Sequence, residues 1–126
     1  AGQDSKLQSE RTSGVEITPL VIGQAAEAGD ALADELVMET ARYLGVGSTT
    51  LMHTIDPDVV LFGGAMTFGR EKTELGRRFL ERIREEVRTR AFPVPAEKTR
   101  LEFASLGNDA GYIGAAGCAR REFLAT

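Results

Sequence analysis

The sequence has little of what several functional classes require. Its single cysteine, Cys118, excludes an internal disulfide and a zinc site built from cysteines of this chain. No apolar run approaches the ~20 residues that a membrane-spanning helix needs. The formal net charge of −4 argues against a general nucleic-acid binder, because such proteins usually carry a basic surface. We therefore expect neither a membrane nor a nucleic acid among its partners.

The amino-acid composition is that of an ordinary soluble domain. Hydrophobic residues make up 42% and charged residues 27% of its 126 residues, enough for one core but not for two full lobes. Residues 1–16 carry almost no hydrophobic side chains and predict a flexible tail or exposed loop, before a folded part at 17–126. The polar start lacks an apolar signal segment, which favours a cytoplasmic location. Because no initiating Met is present, we expect the chain to begin within a larger protein.

Local start and stop signals predict two helices early in the folded part. Thr18 can cap the first helix, Pro19 suits its first turn, and Gly29 can end it in a left-handed conformation. Asp30 is placed to cap a second helix, which extends to about Thr54. Apolar residues recur along that second helix at helical spacing, so it should bury one face.

Apolar and alternating segments predict two strands further along the chain. "VVLF" at 59–62 is rich in β-branched residues and is typical of a parallel strand buried on both faces. The alternating "TRLEFASL" predicts the second strand. Between them we predict a helix from about 71 to 90, with an apolar stripe at Leu75, Phe79, Ile83 and Val87 four residues apart. A loop over "FPVPAEKT" follows this helix, and a terminal helix follows the second strand. The element order predicts an α/β layered fold with parallel strands, and two strands are few enough to indicate part of a domain.

Two of the predicted helices carry small residues on one face. Gly45, Gly47 and Ser48 lie inside the long helix, where each glycine costs about 1 kcal/mol relative to alanine. The terminal helix has glycines three residues apart, at 111, 114 and 117. We expect another backbone to pack closely against both faces.

The glycine pair Gly63–Gly64 directly follows the first predicted strand. One explanation is a sharp turn that requires a positive φ. The other is a ligand that lies against the bare backbone, because ligands of open α/β sheets bind beyond the carboxyl ends of strands. No Walker A motif and no GxGxxG fingerprint occurs in the sequence, so these residues alone leave both explanations open.

The remaining polar candidates favour structural roles. His53 is the sole histidine and is expected to cap or support a helix end, Asp56 and Asp58 to form a turn, and Asp109 to cap the terminal helix. Cys118 is expected to be a small buried residue. We assign no catalytic and no metal-binding residue to this chain.

The run from 70 to 90 is rich in charge of both signs. Its glutamates and arginines fall three or four residues apart, the spacing at which they pair on a helix surface. A nucleic-acid site would need a stripe of one sign, so we interpret the run as a solvated helix face.

Several motifs together resemble one protein family. "EAGD", "YLGVG", "DPDVVLFGG" and "LGNDAGYIGAA" follow the order and spacing found in the C-terminal part of ROK-family sugar kinases, which are bacterial glucokinase-like proteins. The resemblance runs from about Ile17 to the end of the chain. It implies an actin-like ATPase fold with two ribonuclease-H-like lobes. This chain would be a partial C-terminal lobe, mostly helical with about two parallel strands.

The resemblance implies a role for the strand-end glycines. In the family this element is the adenosine motif, so Gly63, Gly64 and Ala65 would lie against the nucleotide of ATP, which acts with Mg²⁺. The family's DxGGT phosphate loop, its catalytic aspartate and its zinc site are absent here, and Ser13–Gly14 does not match its serine-glycine element. The resemblance therefore implies a fragment that is inactive alone, from a protein whose zinc site lies upstream.

Two alternative functions stay open at this point. The family also contains sugar-responsive transcriptional repressors that carry a helix-turn-helix in front. A non-catalytic oligomerisation module is the other alternative. In either kinase or repressor, we expect a sugar ligand and a homo-oligomer, most simply a dimer formed through the long helix and the terminal helix.

Overall fold

The computed structural model of the protein describes residues 5–124, except for the side chain of Asn108. Six α-helices and two β-strands occupy this described range. They are α1 (Lys6–Thr12), α2 (Pro19–Glu27), α3 (Ala31–Ile55), β1 (Val59–Phe62), α4 (Glu74–Arg90), α5 (Pro93–Lys98), β2 (Arg100–Phe103) and α6 (Ala110–Leu124). None of these helices is both long and apolar enough to cross a membrane.

The two strands pair in parallel, as the element order predicts. Val59 faces Arg100 and Phe62 faces Phe103 in the register. The prediction that the first strand is buried on both faces is wrong, because Leu61 is 57% exposed. Val60 and Phe62 point the other way and pack against the core. Within the described residues the helices cover only one face of this two-stranded sheet.

The core lies between α3 and α4. The predicted apolar stripe of α4 is confirmed, since Phe79, Ile83 and Val87 are almost wholly buried. They meet Val37 and Met52 of α3, which are equally buried. Because α4 connects β1 to β2, this packing also holds the two strands in place.

The predicted close packing of small residues holds for one part of α3. A side-chain carbon added at Gly45 would lie 2.5 Å from the Glu86 Cβ and 3.0 Å from the Ile83 carbonyl oxygen. Ser48, one turn further along, is buried as well. Nothing in the described chain packs against Gly47 or the glycines of α6, where an added carbon would meet no atom within 4 Å, so close packing at these positions stays a prediction.

The predicted helix boundaries of α2 and α3 are confirmed. The Thr18 side chain accepts a hydrogen bond from the Val21 N–H at the start of α2. Gly29 follows α2 with a φ of +87°, and Asp30 accepts from the Ala33 N–H at the start of α3. These ends are fixed by residues adjacent in sequence, which is why the sequence reveals them.

Residues 6–12 form α1 rather than part of a flexible tail or loop, while residues 1–4 lie outside the described range. Leu7 is buried, and the buried Ser5 hydroxyl donates to the Asp30 carboxylate at 2.9 Å. The Lys6 N–H donates to the same carboxylate at 2.6 Å. Asp30 therefore anchors the start of α1 as well as capping α3, and it ties the segment to the core.

Two further expectations differ from the structure. The segment predicted as a proline loop contains α5, because Pro93 suits a first helical turn, where its missing N–H needs no partner. Cys118 is exposed rather than buried, because the residues of α6 whose side chains are described are all exposed.

The contrast between Gly45 and Gly47 gives a test of the α3–α4 packing. Gly45→Ala should lower the free energy of unfolding by about 1–3 kcal/mol, because the added methyl overpacks a rigid contact. Gly47→Ala should leave stability unchanged or raise it by up to about 1 kcal/mol through helix propensity. Urea unfolding of the two variants checks this. Equal changes in the free energy of unfolding for the two variants would show that Gly45 is not a packing contact.

The Asp30 network predicts a pH dependence of stability. The hydrogen bond from Ala33, followed by those from Lys6 and Ser5, holds the pKa of Asp30 below its ordinary value. A lowered folded pKa stabilises the fold above the unfolded pKa and loses that effect as the pH falls. Asp30→Asn should therefore melt at a lower temperature than wild type at pH 7. The gap should begin to narrow below about pH 4 and close as the pH falls through the lowered pKa of folded Asp30, and a pH-independent gap would contradict the assignment.

Candidate functional site

The carboxyl ends of β1 and β2 lie at the same edge of the parallel sheet. The loop after β1 begins with Gly63, Gly64 and Ala65, all of which are exposed. The loop after β2 begins with Ala104, whose N–H donates to the Phe62 carbonyl at 2.8 Å. This edge is where open α/β sheets bind ligands.

The backbone conformation favours glycine at one position of the pair and not at the other. Gly64 has a φ of +81°, so the turn itself favours glycine there. Gly63 has no such φ, and a side-chain carbon at that position would meet only the Ala104 Cβ at 3.5 Å, an ordinary contact. The turn explanation therefore accounts for Gly64 and not for Gly63.

A groove opens beside Ala65, between α2 and the loop after β1. Its volume is about 390 Å³, and both polar and apolar side chains line it. Leu20 and Gln24 come from α2, and Thr67 and Phe68 come from the loop. A small molecule that lies on the glycine backbone could extend into this groove.

The loop after β1 holds a strained conformation that the sequence does not signal. Phe68, Gly69 and Arg70 have successive positive φ angles of 44°, 79° and 58°. Two contacts fix the segment: the Thr73 hydroxyl donates to the Phe68 carbonyl, and a side chain at Gly76 would collide with the Arg70 carbonyl. Residues other than glycine rarely adopt positive φ angles, and residues in such strained conformations cluster at functional sites.

The Phe68 side chain joins this loop to the core. Its ring meets the edge of the Phe79 ring at a centroid distance of 4.9 Å. It also covers Gly23 of α2, where an added side-chain carbon would lie 3.0 Å from the ring. The loop and one wall of the groove are therefore built on the buried part of α4.

The other sequence candidates lie away from this edge. The His53 Nε2 accepts from the Phe92 N–H at 3.1 Å and its ring stacks on Phe92, which confirms a structural role. Lys98 pairs with Asp56 at 3.1 Å and Asp58 at 3.3 Å, and both carboxylates raise its pKa. These contacts brace the turn before β1, as predicted for a turn. The capping role of Asp109 stays a prediction.

The charged face of α4 is confirmed as a surface of ion pairs. All six of its arginines pair with a carboxylate, namely those at 77, 78, 82, 84, 88 and 90. Glu86, largely buried, lies between Arg90 and Arg82, and the hydrogen bond from Arg90 in particular lowers its pKa. No stripe of one charge sign results on this helix. Over the described part of the chain, no three metal-ligating side chains cluster either.

Comparisons with known proteins relate most of the chain to one family. The sequence pattern of the ROK family matches residues 4–122, and so includes α1. The glucokinase of Halalkalibacterium halodurans is 32% identical over 98 residues, which are 78% of this chain and 28% of that protein. The xylose repressor of Caldicellulosiruptor bescii is 30% identical over 99 residues, which are 79% of this chain and 23% of that protein.

A solved structure supports the same relationship. The ROK hexokinase from Thermus thermophilus superposes with a TM-score of 0.62 at 28% identity, over 88% of this chain and 36% of that chain. The superposition confirms the expected fold, a part of the actin-like ATPase fold. The chain spans about a quarter of the length of the curated relatives described above.

Proposed function

The chain belongs to the ROK family, and from this premise we propose that it is the C-terminal part of an ATP-dependent hexose kinase. In this proposal the backbone at Gly63, Gly64 and Ala65 holds the adenosine end of ATP. Mg²⁺-ATP donates its γ-phosphoryl group to a hexose hydroxyl. Phosphoryl transfer also needs a phosphate clamp and an aspartate base, which the proposal assigns to the preceding part of the protein. The chain alone therefore has no kinase activity.

The observation that carries the proposal is the bare backbone at Gly63. Neither its φ nor its surroundings require glycine, because an added side-chain carbon would make only an ordinary contact with the Ala104 Cβ at 3.5 Å. A ligand that packs on this backbone would explain why residue 63 is glycine, because only glycine lets a ribose or base approach the main chain closely. The groove beside Ala65 offers room for the rest of such a ligand.

The resemblance to a xylose repressor supports a second candidate. In that case the domain would respond to a sugar and would not transfer phosphate. The glycine pair favours the kinase, because a repressor does not need a nucleotide site. A phosphate loop upstream of this chain would decide for the kinase, and a helix-turn-helix would decide for the repressor.

A non-catalytic oligomerisation module is the third candidate. It would use the helices alone and bind no nucleotide in the full-length protein. The glycine backbone and the adjoining groove would then have no function.

A graded series at Gly63 tests the nucleotide site in the full-length protein. Gly63→Ala should raise the KM for ATP, and Gly63→Val should raise it at least about tenfold, or ~1.4 kcal/mol of lost binding. The KM for the sugar should change much less, because the added groups face the nucleotide. Steady-state kinetics with each substrate in turn measures both effects.

The fold provides the controls for this series. Gly63→Ala should leave the melting temperature near that of wild type, because the new methyl meets only an ordinary contact. Gly29→Val places valine at a glycine that, unlike Gly63, has a positive φ, and nothing lies within 4 Å of the added carbon, so it imposes at least as much backbone strain without touching the strand ends. An ATP KM that stays unchanged in both Gly63 variants would contradict the assignment.

We also propose that the chain assembles as a two-fold dimer through α3. One face of α3 leaves four large apolar side chains exposed: Leu36, Tyr43, Leu51 and Ile55. The helix α6 adds further exposed apolar side chains, among them Tyr112 and Ile113. Apolar surface of this extent is usually covered by a partner, and a two-fold axis through α3 would cover the same stripe on both copies.

Light scattering at micromolar concentration tests the dimer. The chain should scatter as twice its mass of 13.6 kDa. Leu51→Glu should give a monomer, because it places a charge in the apolar stripe of α3. Val94→Glu, which changes an exposed apolar residue on α5, should leave the dimer intact. A folded monomer of the unaltered chain would show that α3 is not an interface.

A further inference from the structure

Arg70 connects the two loops at the carboxyl ends of the strands. It lies in the loop after β1, and its Nη1 donates to the Ser105 carbonyl in the loop after β2 at 3.2 Å. Its guanidinium also passes close to Gly107, where an added side-chain carbon would lie 2.9 Å from Nη2. Gly107 has a φ of +59°, so glycine there serves both the turn and the approach of the guanidinium.

The charge of Arg70 has no carboxylate partner among the described residues. This distinguishes it from the arginines of α4, each of which forms an ion pair. A guanidinium carries five N–H donors, and within the described chain Arg70 uses one of them, on the Ser105 carbonyl. The remaining donors form a cationic surface beside the strand ends.

The backbone at Arg70 is held in place at an energetic cost. Its φ of 58° follows positive φ angles at Phe68 and Gly69, and such conformations are unfavourable for residues other than glycine. The contact of Gly76 with the Arg70 carbonyl fixes this backbone against the start of α4. The loop therefore holds the Arg70 backbone at one defined position, and the hydrogen bond to Ser105 directs the side chain toward the loop after β2.

We infer that Arg70 binds a phosphate group of the nucleotide that lies on the Gly63–Gly64 backbone, an inference that rests on the function proposed above. A guanidinium offers paired N–H groups that match two phosphate oxygens, and it keeps its charge at all physiological pH values. Arg70 and the glycine pair belong to the same loop at one edge of the sheet. A nucleoside phosphate could therefore place its nucleoside on the glycines and its phosphate beside Arg70.

A purely structural role for Arg70 makes a different prediction. If Arg70 only joins the two loops through Ser105, its loss disturbs the whole site and lowers the affinity for nucleosides with and without phosphate to the same extent. If it binds phosphate, its loss lowers the affinity for phosphorylated ligands only. The two roles are therefore separated by comparing ADP with adenosine.

Titration calorimetry on the full-length protein makes this comparison. Arg70→Ala should weaken ADP binding at least about tenfold and change adenosine binding by less than about twofold. Arg70→Lys keeps the charge and should recover part of the ADP affinity. Arg100→Ala removes the same charge at the opposite end of β2, where the arginine pairs with Glu102, and should leave both ligands unaffected.

The outcomes that overturn the inference are distinct from those that overturn the proposed function. Equal weakening of ADP and adenosine by Arg70→Ala, no change in either, or an equal loss of ADP binding in Arg100→Ala would each overturn the role of Arg70. If the wild-type protein binds neither ADP nor adenosine, the proposed nucleotide site itself is wrong.

Discussion

The parallel pairing of β1 with β2 is the constraint on which the site depends. Parallel strands need a crossover between them, and here α4 provides it. Both carboxyl ends consequently meet at one edge, where the loop that carries Gly63 and Arg70 faces the loop that carries Ser105. The proposed nucleotide site consists of these two loops and the start of α2.

The crossover in turn depends on how closely α4 approaches α3. Gly45 removes the side chain that would separate the two helices, so that Glu86 and Ile83 pack on the α3 backbone. The same helix carries Phe79, which supports the strained loop through the Phe68 ring. Packing in the core and the geometry of the strand ends are therefore connected through one helix.

The sequence predicts those parts of the fold that neighbouring residues determine. The caps at Thr18 and Asp30, the stripe of α4 and the two strands follow from local patterns. The helix α1 could not be predicted, because its anchor joins Ser5 to Asp30 across 25 residues. The contact of Arg70 with Ser105 spans 35 residues, and no sequence signal marks an arginine with positive φ. The glycine pair was visible in the sequence, but only its dihedral angles and surroundings separate Gly64, which the turn explains, from Gly63, which it does not.

The nucleotide site can be observed in a crystal structure of the full-length protein with a non-hydrolysable ATP analogue. We expect the adenosine to lie within van der Waals contact, about 4 Å, of the backbone at Gly63 and Gly64. An analogue bound elsewhere, with this backbone open to solvent, would contradict this expectation.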